Sequence, residues 1–147
     1  MTDCINSFEG EYGFLSNFYL CDIRYERSIY KSLEAAYQAA KTTDLAIRER
    51  IRIAETPGIA KKLGRKLVIR PNWDNIKLQI MEELVRHKFT SHLDLREKLL
   101  ATNNMKLIEG NYWGDTFWGV CKGKGTNHLG QILMFVRQEL TVQTFRK

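Results

Sequence analysis

Proline and cysteine are scarce in this chain of 147 residues: two prolines, Pro57 and Pro71, and three cysteines, Cys4, Cys21 and Cys121. No proline-rich linker, internal repeat or low-complexity tract divides the sequence. An odd number of cysteines at unrelated spacings makes a poor disulfide framework. Nor do the cysteines join histidine in a metal-ligand pattern. There is no CxxC, and His87 and His92, five apart, miss the i, i+4 spacing that puts two imidazoles on one helix face. Long apolar runs are missing too. The longest, Ile132-Leu133-Met134-Phe135-Val136, falls far short of the ~18 residues of a membrane span. The opening Met1-Thr2-Asp3-Cys4 has no basic segment followed by a hydrophobic stretch, so a cytoplasmic protein without a secretory signal or membrane contact is expected.

What is present is the balance of a globular protein, with 44% hydrophobic and 27% charged residues. The length suits a single domain over residues 1–147, and a chain of ~150 residues buries roughly two-thirds of its unfolded surface without staples. The net charge of +6 and pI near 9.3 favour anionic partners, the phosphates of nucleotides or of nucleic acid. Ordinary surface lysine accounts for the same charge, so it decides nothing alone.

Alternation through Asp22-Ile23-Arg24-Tyr25 and Ser28-Ile29-Tyr30 about Glu26-Arg27 predicts a short β-hairpin. Helical signals then dominate. Ser32 is placed to cap a helix whose Leu33, Ala36, Tyr37 and Ala40 share one face. A second helix is expected from Asp44 to Glu55. Thr56-Pro57 reads as an N-cap with proline at the first helical position, and Gly64 as the stop. A longer helix after Trp73-Asp74 should bury Ile76, Ile80, Leu84 and Val85. Ser91 and Asp94 resemble a capping box for a helix ending near Leu100. Met105 to Glu109 reads as a strand. A last helix from about Asn127 should bury Leu129, Ile132, Leu133, Val136 and Leu140. The sum is an α+β, mostly helical domain with a small antiparallel β component.

Four places carry more chemistry than packing needs. On the Ser32 helix, Glu34, Gln38 and Lys41 form one stripe at i, i+4, i+7, beside Ala35, Ala39 and Ala40, which let another group approach closely. The stripe is either a solvated face or a carboxylate, an amide and an amine converging on a ligand. Lys88 falls on or beside the apolar face of its helix; either it snorkels, or its enclosed ammonium needs an anion. The segment from Glu109 to Gly119 packs Tyr112, Trp113, Trp118, Asp115 and three glycines into eleven residues. Aromatic planes there suit base stacking, worth roughly 1–3 kcal/mol per base in single-strand binders, and the glycines suit close backbone approach. The glycine-rich Gly119-Val120-Cys121-Lys122-Gly123-Lys124-Gly125 then leads into the last helix, whose free N–H groups would favour phosphate. It is no Walker loop, since three residues separate Gly119 from Gly123 and no Ser/Thr follows Lys124. In a Rossmann frame from Gly123, His128 stands where the third glycine belongs.

Together these segments resemble the NADAR family, the YbiA-like proteins linked to NAD and ADP-ribose. The matching pieces run in order from Gly13-Phe14-Leu15-Ser16-Asn17-Phe18 and Ser32-Leu33-Glu34-Ala35-Ala36-Tyr37-Gln38-Ala39-Ala40-Lys41. Ala60, Gly64-Arg65, Asn72-Trp73, Met81 and Lys88-Phe89 follow. The remainder are Leu99-Leu100-Ala101-Thr102, Glu109, Trp113-Gly114-Asp115, Trp118-Gly119, Gly123-Lys124-Gly125, Asn127, Leu129-Gly130 and Leu133-Met134. The resemblance implies cleavage of N-glycosidic bonds to ribose-type sugars, either in phosphorylated riboflavin-pathway intermediates or in ADP-ribosylated guanine. Ala35 departs from relatives that carry His beside the glutamate. Val120-Cys121-Lys122 lengthens the glycine segment relative to some of them. Both differences bear on substrate choice more than on reaction type.

Breaking such a bond builds positive charge on the sugar and negative charge on the leaving base. Glu34 is the leading carboxylate, positioning water or steadying the oxocarbenium-like sugar. Asp115 is the second acid, gripping ribose hydroxyls or donating a proton. Lys41 is either an electrostatic partner of Glu34 or a nucleophile that forms a transient Schiff base with opened ribose. Trp73, Trp113 and Trp118 are candidates to stack the base, and Arg65, Lys88, Lys124 and Asn127 to hold phosphate. Asn17, Gln38, Glu109 and Gly119 complete the expected substrate contacts. The scheme calls for no metal and no cofactor. Its partner is a small phosphoribosyl or ADP-ribosyl substrate, or ADP-ribosylated nucleic acid; no oligomeric state is implied. Two alternatives stay open: a non-catalytic ADP-ribose or nucleotide-binding module, and a basic nucleic-acid-binding protein.

Overall fold

The chain begins with a short strand β1 (Cys4–Ile5) and a 3-10 turn (Gly10–Leu15), then folds back as the hairpin β2 (Leu20–Tyr25) and β3 (Ser28–Ser32). Helices α1 (Leu33–Ala40), α2 (Leu45–Arg52), α3 (Pro57–Lys66), α4 (Trp73–Ser91) and α5 (Leu93–Leu100) follow. The two-residue strands β4 (Lys106–Leu107), β5 (Gly110–Asn111) and β6 (Val120–Cys121) precede the last helix, α6 (His128–Phe145). This computed structural model describes residues 4–145. The α+β expectation holds, with helices dominant. The hairpin is antiparallel, whereas β1 with β4 and β5 with β6 pair in parallel. The backbone divides into two compact units, one from Asn17–Lys88 and one from Met1–Ser16 with Phe89–Lys147.

In the first of these, the hairpin forms because Ile23 and Tyr30 face each other across the ladder and are both buried. Glu26 turns the chain with φ at 52°. Arg48 bonds its carboxylate at 2.6 Å. The same guanidinium donates through Nε to the Ala39 and Thr42 carbonyls, at 3.2 and 2.7 Å. It thus satisfies carbonyls that the end of α1 would leave open. Ser32 caps α1 as expected, its hydroxyl accepting from the Ala35 N–H at 3.1 Å. Asp44 and Thr56 cap α2 and α3 in the same way.

Several boundaries differ from expectation: α2 ends at Arg52 rather than Glu55, and the strand expected over Met105 to Glu109 is confined to Lys106–Leu107. Gly64 does not stop α3, which runs on to Lys66. Its missing side chain serves packing instead, because a Cβ at Gly64 would collide with Gln38 of α1. Ser91 does not open α5; it is the last residue of α4, and His92 takes the N-cap place without a side-chain bond. The buried positions Lys88 and Phe89 carry the inward face of α4 to within two residues of Ser91, so the chain there completes a helix rather than opening one. Along that helix Ile80, Leu84 and Val85 are buried, and Ile76 only half-buried.

In the second unit, α6 buries Leu129, Ile132, Leu133, Val136 and Leu140, the predicted face. Buried Arg137 reaches Thr102 Oγ1 at 2.8 Å. All three cysteines are free thiols. No helix among the described residues is long and apolar enough to cross a membrane.

Candidate active site

All eight residues of α1 are buried, Glu34 and Gln38 included. Alanines at 35, 36, 39 and 40 make this possible, since α3 meets α1 through its own small residues, Ala60 and Gly64. The stripe Glu34, Gln38, Lys41 is therefore not a solvated face. Glu34 is fixed at both ends: its N–H donates to the Asn17 carbonyl at 3.0 Å, and its Oε2 accepts from Gln38 Nε2 at 2.5 Å. Asn17 itself reaches the Met81 sulfur at 3.6 Å.

Lys41 ends the helix, half-buried, with its ammonium 5.6 Å from the centre of the Tyr37 ring. Burial holds its pKa below the usual lysine value; Glu34 opposes that shift, while Lys61, Arg65 and Lys77 reinforce it. These five groups form one electrostatic cluster: a carboxylate and an amine with three further cations. Sequence reasoning missed Lys61 and Lys77 as members. The signal for Lys61 was available, because Ala60 and Gly64 mark the face of α3 turned to α1, and Lys61 and Arg65 each stand one residue beyond. Arg70 was also missed. It secures the end of α1, its N–H donating to the Lys41 carbonyl at 2.8 Å and its guanidinium to Ala40 at 3.3 Å.

Trp73 is 6% exposed and leans on Tyr37, ring centres 5.3 Å apart. It is a packing residue at the edge of an open hollow of about 460 Å³, lined also by Arg70, Asn72 and Asn75. Lys88 does not snorkel. It is 1% exposed, its ammonium 5.4 Å from the Tyr19 ring centre, and burial pushes its pKa down to about 8, with the Cys21 thiol acting in the opposite sense.

The other unit holds the aromatic and acidic segment. Asp115 is locked by its neighbours. Its Oδ1 accepts from the Phe117 and Trp118 N–H groups at 3.1 and 2.9 Å. Its own N–H donates to Asn111 Oδ1 at 3.0 Å, and Asn111 Nδ2 donates to Glu109 Oε2 at 2.9 Å. Trp113 is half exposed, edge-on to exposed Tyr112. Trp118 instead packs edge-to-face in a cluster with Phe117 and His128. Gly119 has no room for a side chain, since a Cβ would stand 2.1 Å from the Glu109 carbonyl oxygen.

The glycine-rich entry to α6 is not an open phosphate cradle. The N–H groups of Thr126, Asn127, His128 and Leu129 donate to the carbonyls of Thr116, Gly119, Phe117 and Trp118. Donors spent on backbone in this way leave the N–H groups of residues 126–129 unavailable to a phosphate. The side chain of Asn127 is likewise engaged, with the Glu109 N–H and the Leu107 carbonyl. Lys124 remains exposed, bridged to Cys121 only through its backbone. Among the described residues no group of three or more His, Cys, Asp or Glu side chains is gathered to hold a metal ion.

Known proteins resemble this chain along most of its length. A model of the NADAR domain matches residues 5–141. N-glycosidase YbiA of Escherichia coli (strain K12) is 37% identical, over 97% of this chain and 92% of that protein. N-glycosidase Npun_R5314 of Nostoc punctiforme is 43% identical, over 88% of this chain and 86% of the relative. Riboflavin biosynthesis protein VVA0006 of Vibrio vulnificus is 39% identical over 88% of this chain, which corresponds to 36% of that longer protein. The NMR structure of the E. coli protein YbiA superposes with a TM-score of 0.87 at 36% identity, covering all of this chain and 90% of that one. The likenesses in sequence and in backbone agree over nearly the whole length, and the chain belongs to the NADAR family.

Proposed function

We propose that this chain is an N-glycosidase that hydrolyses the bond between a base and a phosphorylated ribose or ADP-ribose. Membership of the NADAR family and the relatives named as N-glycosidases support the reaction type. The observation that carries the reading is the pairing, on one buried helix face, of the Glu34 carboxylate with the Lys41 amine, whose proton is held less tightly than usual.

The chemistry follows from charge. As the C1′–N bond lengthens, positive charge grows on the anomeric carbon and ring oxygen, where an enclosed carboxylate stabilises it most. In the direct route, Glu34 orients a water whose oxygen bonds C1′ while its proton passes to the departing base. In the covalent route, neutral Lys41 Nζ attacks C1′ and the base leaves with a proton. Ring opening then gives an imine that water cleaves to the free sugar. Lys61, Arg65 and Lys77 suit the phosphate end. Asp115 is our assignment for the second acid, resting on the Trp113-Gly114-Asp115 segment shared with the family. Trp113 and Lys124, both exposed, are the members of their unit best placed for contact with a base and a phosphate.

The deciding experiment presents three N-ribosides: a phosphorylated ribosylamino-pyrimidine, a guanine oligonucleotide carrying ADP-ribose, and NAD. Each is scored by mass spectrometry for released base. Release from at least one, abolished in Glu34→Gln, supports the enzyme. A stable complex with no release from any of the three identifies a reader and overturns the reading.

A further inference from the structure

Gln38 is an odd residue to find in a helix made of buried alanines. It is 3% exposed. Its Nε2 is committed to Glu34, which turns Oε1 toward α3. There it meets Gly64 so closely that a Cβ on the glycine would stand 1.9 Å from Oε1 and 2.7 Å from Cδ. Among the described residues Oε1 is the one buried side-chain nitrogen or oxygen without a hydrogen-bond partner. An enclosed carbonyl left without a donor forfeits its hydration with nothing in return. Turning the amide over gains nothing, since Oε1 would then oppose a carboxylate oxygen of Glu34. Leucine or methionine would fill the space without either cost. Gly64 adds a second local cost, because glycine inside a helix is less favourable than alanine. Two unfavourable choices, on two helices, meet at one contact, and that contact ends on Glu34.

We propose that Gly64 and Gln38 form a positioning relay for the Glu34 carboxylate. The absent side chain at residue 64 sets where the Gln38 amide lies, and the amide sets the orientation of Glu34. The proposal rests on the N-glycosidase reading, in which Glu34 is the acting carboxylate, and it moves Gln38 from substrate contact to support. Neither Gln38 nor Gly64 touches substrate.

The test compares wild type, Gly64→Ala, Gln38→Ala and the double variant on the substrate from which wild type releases base, with thermal melting in parallel. Gly64→Ala lowers kcat by about tenfold or more and leaves KM within about threefold, because orientation of the carboxylate is lost rather than binding. Gln38→Ala does the same. The double variant is no slower than Gln38→Ala alone, since with the amide gone the new Cβ meets only the Cβ of residue 38, at 3.1 Å, which a shift of a few tenths of an ångström relieves. A purely local glycine predicts the opposite: Gly64→Ala would melt higher and turn over normally, and that result overturns the relay. So does a double variant in which the two losses multiply. If Gly64→Ala fails to fold, recovery of folding in the double variant supports the relay, and failure of both overturns it. If wild type releases no base at all, the N-glycosidase reading falls first. The side-chain amide resonances of Gln38 then decide the relay separately: displaced in Gly64→Ala if it exists, unmoved if it does not.

Discussion

Asn127 and Glu109 are joined by a hydrogen bond from the Glu109 N–H to Asn127 Oδ1 at 2.9 Å, and the other end of the same amide donates to Leu107 at 3.0 Å. One buried side chain thus ties the entry of α6 to the segment between β4 and β5. The backbone of Asn127 lies at φ 58°, which asparagine tolerates better than most residues. Asn127→Ala leaves an enclosed donor and acceptor unpaired and strains the backbone. It should cost about 3 kcal/mol, a fall in Tm on the order of 10 °C for a chain this size. Asn127→Gly removes the strain but not the lost bonds, so it should fall between alanine and wild type in the same melts. Equal melting of all three would show that the clamp contributes nothing.

Glu34 and Asp115 carry different kinds of support, and kinetics separates them. Glu34→Gln keeps the shape of α1 but removes the charge that faces the developing cation, so kcat should drop by about 10²–10⁴ with melting little changed. Asp115→Asn retains Oδ1 as acceptor for the Phe117 and Trp118 N–H groups. The loop should therefore stand, and a similar kcat loss would place the acid in the reaction. Wild-type turnover in both variants would reject the assignment of the two carboxylates.

Lys41 distinguishes the two routes. Because burial and neighbouring cations hold its pKa below the ordinary value, its neutral, nucleophilic form becomes available at lower pH than for a surface lysine. Borohydride added during turnover should trap a sugar adduct on the wild type and none on Lys41→Ala. The yield should rise with pH, reaching half its maximum below 10.5. Turnover that proceeds with no adduct at any pH would leave Lys41 as an electrostatic partner of Glu34.

Much of this was legible in the residues, and the failures have a common cause. Capping at Ser32 and Thr56, the start of a helix near Asp44, the hairpin about Glu26-Arg27 and the inward face of α6 all depend on neighbours within a few residues. Local rules therefore reached them. Gly64 was misplaced as a stop because its reason is a side chain 26 positions away, Gln38. The phosphate reading of the α6 entry failed in the same way. Sequence marks where helix N–H groups begin, but not that the carbonyls of residues 116–119 come back to occupy them. Lys61 was indistinguishable from ordinary surface lysine in the sequence, and only the packing of α3 on α1 brings it near Lys41. Long-range closure, not local propensity, decides which polar groups remain available for chemistry.

The enclosure of Lys88 has a consequence for stability against pH. Burial lowers its pKa from 10.5 to about 8 in the folded chain, while the unfolded chain keeps the ordinary lysine value. Below pH 8 both states hold the proton, and folding bears the full penalty of burying the charge. Between about pH 8 and 10.5 the unfolded state binds a proton that the folded state has released, so the free energy of unfolding rises with pH across that window. The whole rise is on the order of 3 kcal/mol. Lys88→Met has no such group, so in urea unfolding its free energy of unfolding should lack this rise between about pH 8 and 10.5. Parallel curves for the two proteins would show that the ammonium is not enclosed. The same measurement tests the assignment of Lys88 to the phosphate end of the substrate. An anion in contact with the ammonium favours its charged form and raises the folded-state pKa. Inorganic phosphate should then stabilise wild type at pH 7 and flatten its slope above pH 8, with Lys88→Met unaffected. A phosphate effect of equal size in both proteins would place the anion elsewhere and leave Lys88 as a packing residue.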